Sequence, residues 1–161
     1  METTYAYLAG IIDADGYILI RRVVRSGRGK DGAEEISYIP IIGISRNAPA
    51  IPDFFQTIFP ARRRQYQSKK PKALPVHWWE AERGSATEPL RCILSHLRIK
   101  NRQAALTLSI LDLLNQTGRP SADQWAARQR LYEEVAQLNG PRPSHRYSVY
   151  RRVPQPESDP Q

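Results

Sequence analysis

The 161-residue chain contains one cysteine, Cys92. An intramolecular disulfide and a cysteine metal cluster are both excluded. Cys92 is expected to pack as a small apolar residue within Leu90–Leu97. Histidine is scarce too, with three in all. His77 has no partner at ligand spacing, so it reads as a packing residue or a nucleic-acid contact ahead of a metal ligand. No apolar run is long enough to cross a bilayer. Met1-Glu2-Thr3-Thr4 lacks the charged opening of a secretory leader. A soluble, intracellular protein without a membrane partner is therefore expected. No segment repeats. Acidic residues are in deficit, 16 against 24 Lys plus Arg, which leaves a net charge of +8 and a pI near 9.9. That sign favours a polyanionic partner, nucleic acid first. The plainer alternative is a basic surface kept for solubility.

What is present is concentrated in Tyr5-Ala6-Tyr7-Leu8-Ala9-Gly10-Ile11-Ile12-Asp13-Ala14-Asp15-Gly16. Tyr5, Leu8, Ile11 and Ile12 fall at helical spacing. Ala6, Gly10 and Asp13 share one stripe, with Ala9 beside it. Small residues on a stripe let another backbone approach closely, or simply pack the helix on its own core. Gly16 is expected to stop the helix in a left-handed turn. Asp13 and Asp15 stand at a helix C-terminus, where the macrodipole already presents negative charge. Something positive must offset them, and a divalent cation suits carboxylate and carbonyl oxygens.

Leu8-Ala9-Gly10-Ile11-Ile12-Asp13-Ala14-Asp15-Gly16 resembles the motif that names the LAGLIDADG homing endonucleases, with Ile11 in place of Leu. The resemblance implies an α+β fold: an αββαββα LAGLIDADG domain, its antiparallel sheet a saddle with helices on one side, plus C-terminal helices. One domain would span residues 1–153, with 154–161 a disordered tail. The motif occurs once, so the resemblance implies a homodimer whose motif helices pair through Ala6, Ala9, Gly10 and Asp13. It makes Asp15 the catalytic metal ligand, with the Ala14 carbonyl beside it, and gives Asp13 a role in stabilising the helix pair. The implied cofactor is Mg²⁺, with Mn²⁺ or Ca²⁺ able to substitute for binding.

Two further catalytic positions follow from the same resemblance. Arg46, after Ile44-Ser45, occupies a place at the end of the second strand where the family familiarly has glutamine. Lys100 ends Leu97-Arg98-Ile99-Lys100 and would stabilise negative charge at phosphorus. The implied activity is metal-dependent double-strand cleavage of a long, pseudo-palindromic DNA site, leaving short 3′ overhangs, in an intron- or intein-associated enzyme. An RNA-splicing maturase and a non-cleaving DNA-binding regulator are the alternatives on the same fold.

The rest of the chain can be taken in order. Tyr17–Ser26 reads as a strand, with Ile18, Ile20 and Val24 on one face and Arg21 and Arg25 on the other. A glycine-rich tip carrying Arg28 and Lys30 follows, suited to phosphate contact. Glu35–Ser45 is the returning strand, where Pro40 demands an edge or a bulge. Ala50–Phe59 reads as a helix with Ile51, Phe54, Phe55 and Ile58 inward. The basic run from Arg62 to Lys72 pairs with Val76–Glu82. Tyr66 is read as inward, which points Gln65, Gln67 and Lys69 outward; one of Trp78 and Trp79 should be core. Under the family's binding mode, sheets lie in the major groove, which has a unique donor and acceptor code. Arg21, Arg25, Ser37, Gln65, Gln67 and Lys69 are the candidate base readers. A helix capped by Thr87 should run to about Leu97, another from Ala104 to Leu114, and a last one from Ser121 to Leu138. Tyr147, Tyr150, Arg151 and Arg152 form a candidate docking segment.

Overall fold

The computed structural model describes residues 1–25, 35–70 and 72–141. Arg28 and Lys30, Pro71, the docking segment and the tail from 154 lie outside these. The first two elements meet without a loop. Helix α1 (Glu2–Asp15) ends at Gly16, and strand β1 (Gly16–Arg25) begins there. The expected left-handed stop is not used, because Gly16 is extended, with φ −80° and ψ 177°. Glycine is required for space instead. A Cβ at 16 would stand 2.5 Å from Ile12 Cδ1 and 2.7 Å from Ile12 Cα. The sharp change from helix to strand folds the backbone against its own last turn.

Strand β2 (Glu35–Arg46) returns, then helix α2 (Ala50–Ile58), strands β3 (Arg62–Tyr66) and β4 (Val76–Glu82), and helices α3 (Thr87–Ile93), α4 (Asn101–Leu114) and α5 (Ala122–Leu138). The strands form an antiparallel sheet of order β1-β2-β4-β3. The αββαββα order with added C-terminal helices is the expected one. Pro40 proves to be an edge case rather than a bulge. The β1–β2 register runs unbroken from Gly16↔Ile44 to Arg25↔Glu35, while β4 reaches only to Ile41. From Pro40 back to Glu35, β2 has only β1 beside it among the described residues, and a missing donor is tolerated there.

Strand residues alternate between two faces. Ile18 and Ile20 of β1, Ile42 and Ile44 of β2, and His77, Trp79 and Ala81 of β4 point to the helical side and are buried. Trp79 anchors that side. Its ring centroid lies 4.8 Å from that of Phe55, and its indole N–H donates to the Phe59 carbonyl at 2.9 Å. Leu8, Ala9 and Ile12 of α1 complete this cluster with Leu90, Ile93, Leu97 and Ala104. A second cluster joins Ile20 and Tyr38 to Leu106, Ile110 and Val135, so α4 and α5 cover the other end of the sheet. Ser121 caps α5 as expected, accepting from the Gln124 N–H, with Gln124 reaching back.

Three local expectations are corrected. Phe54 is 37% exposed rather than inward, and stands edge-on to Tyr7. Thr87 is the first residue of α3, not its cap, because a 3-10 turn over Arg83–Ala86 leads straight into the helix. Tyr66 points outward: it is 56% exposed and faces Trp78 across the strands. Pairing fixes this, since Tyr66 lies opposite Val76 and Gln65 opposite the buried His77.

Candidate active site and nucleic-acid interface

The two carboxylates at the end of α1 are offset by groups from two other segments, residues 98–100 and the end of β2. Asp13 accepts main-chain N–H groups from Arg98 at 2.7 Å, Ile99 at 3.2 Å and Lys100 at 2.9 Å. These residues lead into α4, so Asp13 places a negative charge at the positive end of that helix. Burial pushes the Asp13 carboxyl up, but the three N–H groups and the Lys100 ammonium outweigh it and hold it below its ordinary value. Lys100 returns the interaction. Its Nζ donates to the carbonyls of Ile12 at 2.8 Å and Asp13 at 2.5 Å. Both carbonyls belong to the last turn of α1, where a cation is favourable, and the Ile12 oxygen also accepts the Gly16 N–H. Burial lowers the Lys100 pKa, and the Asp13 and Asp15 carboxylates recover part of the loss.

Asp15 stays exposed at the tip of α1 and is met by Arg46, whose Nη2 donates to its Oδ2. Arg46 ends β2 and points to the helical side, opposite His77. Its Nε is buried with no partner among the described residues. Asp15, Arg46 and Lys100 are thus brought to one place from positions far apart in the chain. His77 is buried beside Arg46 across the strands, and its Nδ1 lies 3.3 Å from Arg63 Nη2.

The small-residue stripe divides. Ala6 and Gly10 are exposed, and a Cβ at Gly10 would meet nothing within 4 Å. Ala9 is fully buried in the chain's own core, and Asp13 is engaged as above. Ala9 and Asp13 are therefore turned to their own chain, because helical rotation sets Ala9 beside Leu8 and Ile12. The exposed residues of α1 are Glu2, Thr3, Ala6, Tyr7, Gly10, Ala14 and Asp15.

The other sheet face carries no helix packed on it among the described residues. Tyr17, Arg21, Arg62, Arg64, Trp78, Glu80 and Glu82 line a hollow of about 300 Å³ there. Tyr17 Oη donates to Glu80 at 2.7 Å, and Arg21 Nη2 lies 3.5 Å from Glu82 and 4.0 Å from Glu80. Burial and the neighbouring Glu82 raise the Glu80 pKa, against the Tyr17 hydroxyl and Arg21. Gly43 lies beneath Tyr17, since a Cβ there would stand 2.5 Å from the phenol oxygen. Arg25 and Ser37 share the face of Arg21 by alternation. Gln65 does not: it lies on the helical side. Gln67 donates to the Ala73 carbonyl at 2.8 Å, and Lys69 is exposed beyond β3. The sequence did not single out Arg62, Arg64, Tyr66, Glu80 and Glu82 as members of this face, and of Trp78 and Trp79, one of which was expected to be core, Trp78 proves to be the one on it. The signal was in β4, where Trp79 and Ala81 are the apolar phase and Trp78, Glu80 and Glu82 the polar one.

No family model matches the chain, and no curated protein is significantly similar to it in sequence. Solved structures are similar in fold. The homing endonuclease I-CvuI in complex with its target matches over 88% of this chain and 85% of its own, at 22% identity and a TM-score of 0.66. The archaeal intron-encoded homing endonuclease I-Vdi141I, complexed with DNA, matches over 85% of this chain and 84% of its own, at 12% identity and a TM-score of 0.66. The homing endonuclease I-TnaI matches over 84% and 95%, at 13% identity and a TM-score of 0.61. With its nine-residue motif closing α1 against a four-stranded antiparallel sheet, the chain has the LAGLIDADG homing endonuclease fold.

Proposed function

We propose that the protein is a site-specific DNA endonuclease that works as a homodimer, cuts both strands with a divalent metal, and is encoded with an intron or intein. The observation that carries this reading is the convergence of Asp15, Arg46 and Lys100 at the C-terminal end of α1. The similar I-CvuI and I-Vdi141I structures contain DNA, and I-CvuI was crystallised with Ca or Mg. Paired motif helices, meeting at the exposed Ala6 and Gly10, would bring two Asp15 carboxylates to one axis. Antiparallel sheets from the two copies would lie in the major groove.

The donor set fits a hydrated Mg²⁺. Asp15 is an exposed hard oxygen ligand beside helix-terminal carbonyls, and Mg²⁺ takes one or two carboxylates while keeping several waters. No group of three His, Cys, Asp or Glu gathers among the described residues, so one copy does not cage an ion by itself. Asp15 and the Ala14 carbonyl would hold it, with the second copy supplying the same pair. When bound, the ion supplies Lewis-acid polarisation of the phosphate and of a water. The chain's own groups do the rest. Lys100 spends two of its three N–H donors on α1 carbonyls, which fixes the ammonium and leaves one N–H for charge developing at phosphorus. Arg46 orients Asp15 and balances its charge. Cutting the two strands on either side of the two-fold axis, across the minor groove, would leave short 3′ overhangs.

The test is Asp15→Asn, assayed on sites selected for cleavage from a randomised DNA library with Mg²⁺. Cleavage should disappear while DNA binding persists. Undiminished cleavage by the variant would overturn the metal-ligand assignment, and a wild-type monomer on DNA would overturn the dimer.

A further inference from the structure

The hollow on the open sheet face contains an arrangement that a purely phosphate-seeking surface does not need. Arg21, Arg62 and Arg64 suit a polyanion, whereas Glu80 and Glu82 on the same face repel it. Carboxylates placed there reduce non-specific affinity, so what they contribute must be discrimination. Their geometry indicates which kind. Arg21 Nη2 lies 3.5 Å from a Glu82 oxygen, which sets a guanidinium and a carboxylate side by side, and the Arg21 side chain is 44% exposed. In the major groove a G·C pair presents the acceptors O6 and N7 of guanine beside the N4 amino donor of cytosine. A guanidinium next to a carboxylate is the complement of that edge, since arginine reads guanine and glutamate accepts from cytosine.

We propose that Arg21 and Glu82 together read one G·C pair in each half of the DNA site, with Glu80 and Tyr17 as positioning residues. Glu80 sits between the two other groups. It accepts the Tyr17 hydroxyl at 2.7 Å, stands 4.0 Å from Arg21 and adjoins Glu82 two residues on along β4, so it touches both members of the pair. Tyr17 reaches Glu80 because Gly43 leaves room for its ring. Strand register makes the device rigid, since Gly43 pairs with both Tyr17 and Glu80 across the sheet.

This inference rests on the DNA-binding reading above and is tested separately from it. The full-length protein is assayed in Ca²⁺ by competition binding against its selected site, against every single-base variant of that site, and against random duplex. One symmetric position should prefer G·C by about tenfold or more. Glu82→Gln and Arg21→Ala should each remove that preference and leave the other positions unchanged. The double variant should be no worse at that position than the poorer single one. Glu82→Gln should also raise affinity for random duplex. Glu80→Gln should weaken the same preference with the melting temperature unmoved, which a merely structural role would not produce. A Glu82→Gln profile with every preference intact, or changed equally at all positions, overturns the proposal while leaving the endonuclease reading standing. A wild-type protein that does not bind DNA removes both. Glu82→Asp, which keeps the charge, is the control for folding and should retain part of the preference.

Discussion

Replacing Asp13 by alanine tests the link between α1 and α4. The side chain gathers three main-chain N–H groups from residues 98–100. A lost helix cap costs about 0.5–2 kcal/mol, and a hydrogen bond to a charged group about 1.5–3 kcal/mol. Arg98 and Ile99 are exposed, so water re-satisfies their N–H groups, and the sum is well below three full bonds. The expected loss is about 2 kcal/mol. For a chain of this size that lowers Tm by about 4–8 °C. The pH dependence identifies the cause. Asp13 titrates below its ordinary 3.8 in the folded protein. Its contribution is therefore complete above that value and fades as pH falls through the lowered one. Urea unfolding of wild type and variant at neutral pH should differ by the full amount, and the gap should narrow on acidification below 3.8. Asp13→Asn keeps one acceptor oxygen and should fall between. Because Asp13 also fixes the Lys100 main chain, cleavage by the alanine variant should drop roughly tenfold to a hundredfold. Equal stability of wild type and variant, or a gap that ignores pH, would refute the reasoning.

Lys100→Met should cost about 1 kcal/mol by uncovering the α1 carbonyls and slow cleavage by about a hundredfold or more with binding preserved; melting and single-turnover kinetics separate the two effects. Gly43→Ala should destabilise by about 1–3 kcal/mol in thermal melts, because the new methyl meets the Tyr17 ring and is 2.9 Å from the Trp79 carbonyl. Trp79→Ala should cost about 3–5 kcal/mol in urea, since the side chain is fully buried between Phe55 and Phe59.

Much of the architecture was legible because local patterns agreed with it. The motif marked α1, the β1 alternation marked a strand, and Ser121 marked the start of α5. The second hairpin was not legible from β3. Arg62-Arg63-Arg64-Gln65-Tyr66 is polar on both faces, so no contrast tells inside from outside, and only pairing with Trp78-Trp79 decides it. At the site, Asp15, Arg46 and Lys100 were picked out by resemblance, and the structure brings them together. The partners of Asp13 lie 85 to 87 residues away, so nothing local announced its capping role. Gly16 was recognised as special for the wrong reason: its backbone is ordinary, and the crowding comes from Ile12.

The alternation of the sheet bears on how such a protein changes over generations. Arg21, Arg62, Arg64, Trp78, Glu80 and Glu82 occupy one phase of the strands, and Ile18, Ile20, Ile42, Ile44, Trp79 and Ala81 the other. Outward positions can mutate one at a time while their immediate neighbours in the chain keep the interior filled. On the DNA-reading role proposed above, a lineage whose target drifts could follow it by point substitution, without passing through unfolded intermediates. Gly43 is the constraint on that freedom, since any side chain there displaces Tyr17, and retargeting by directed mutation should leave it untouched.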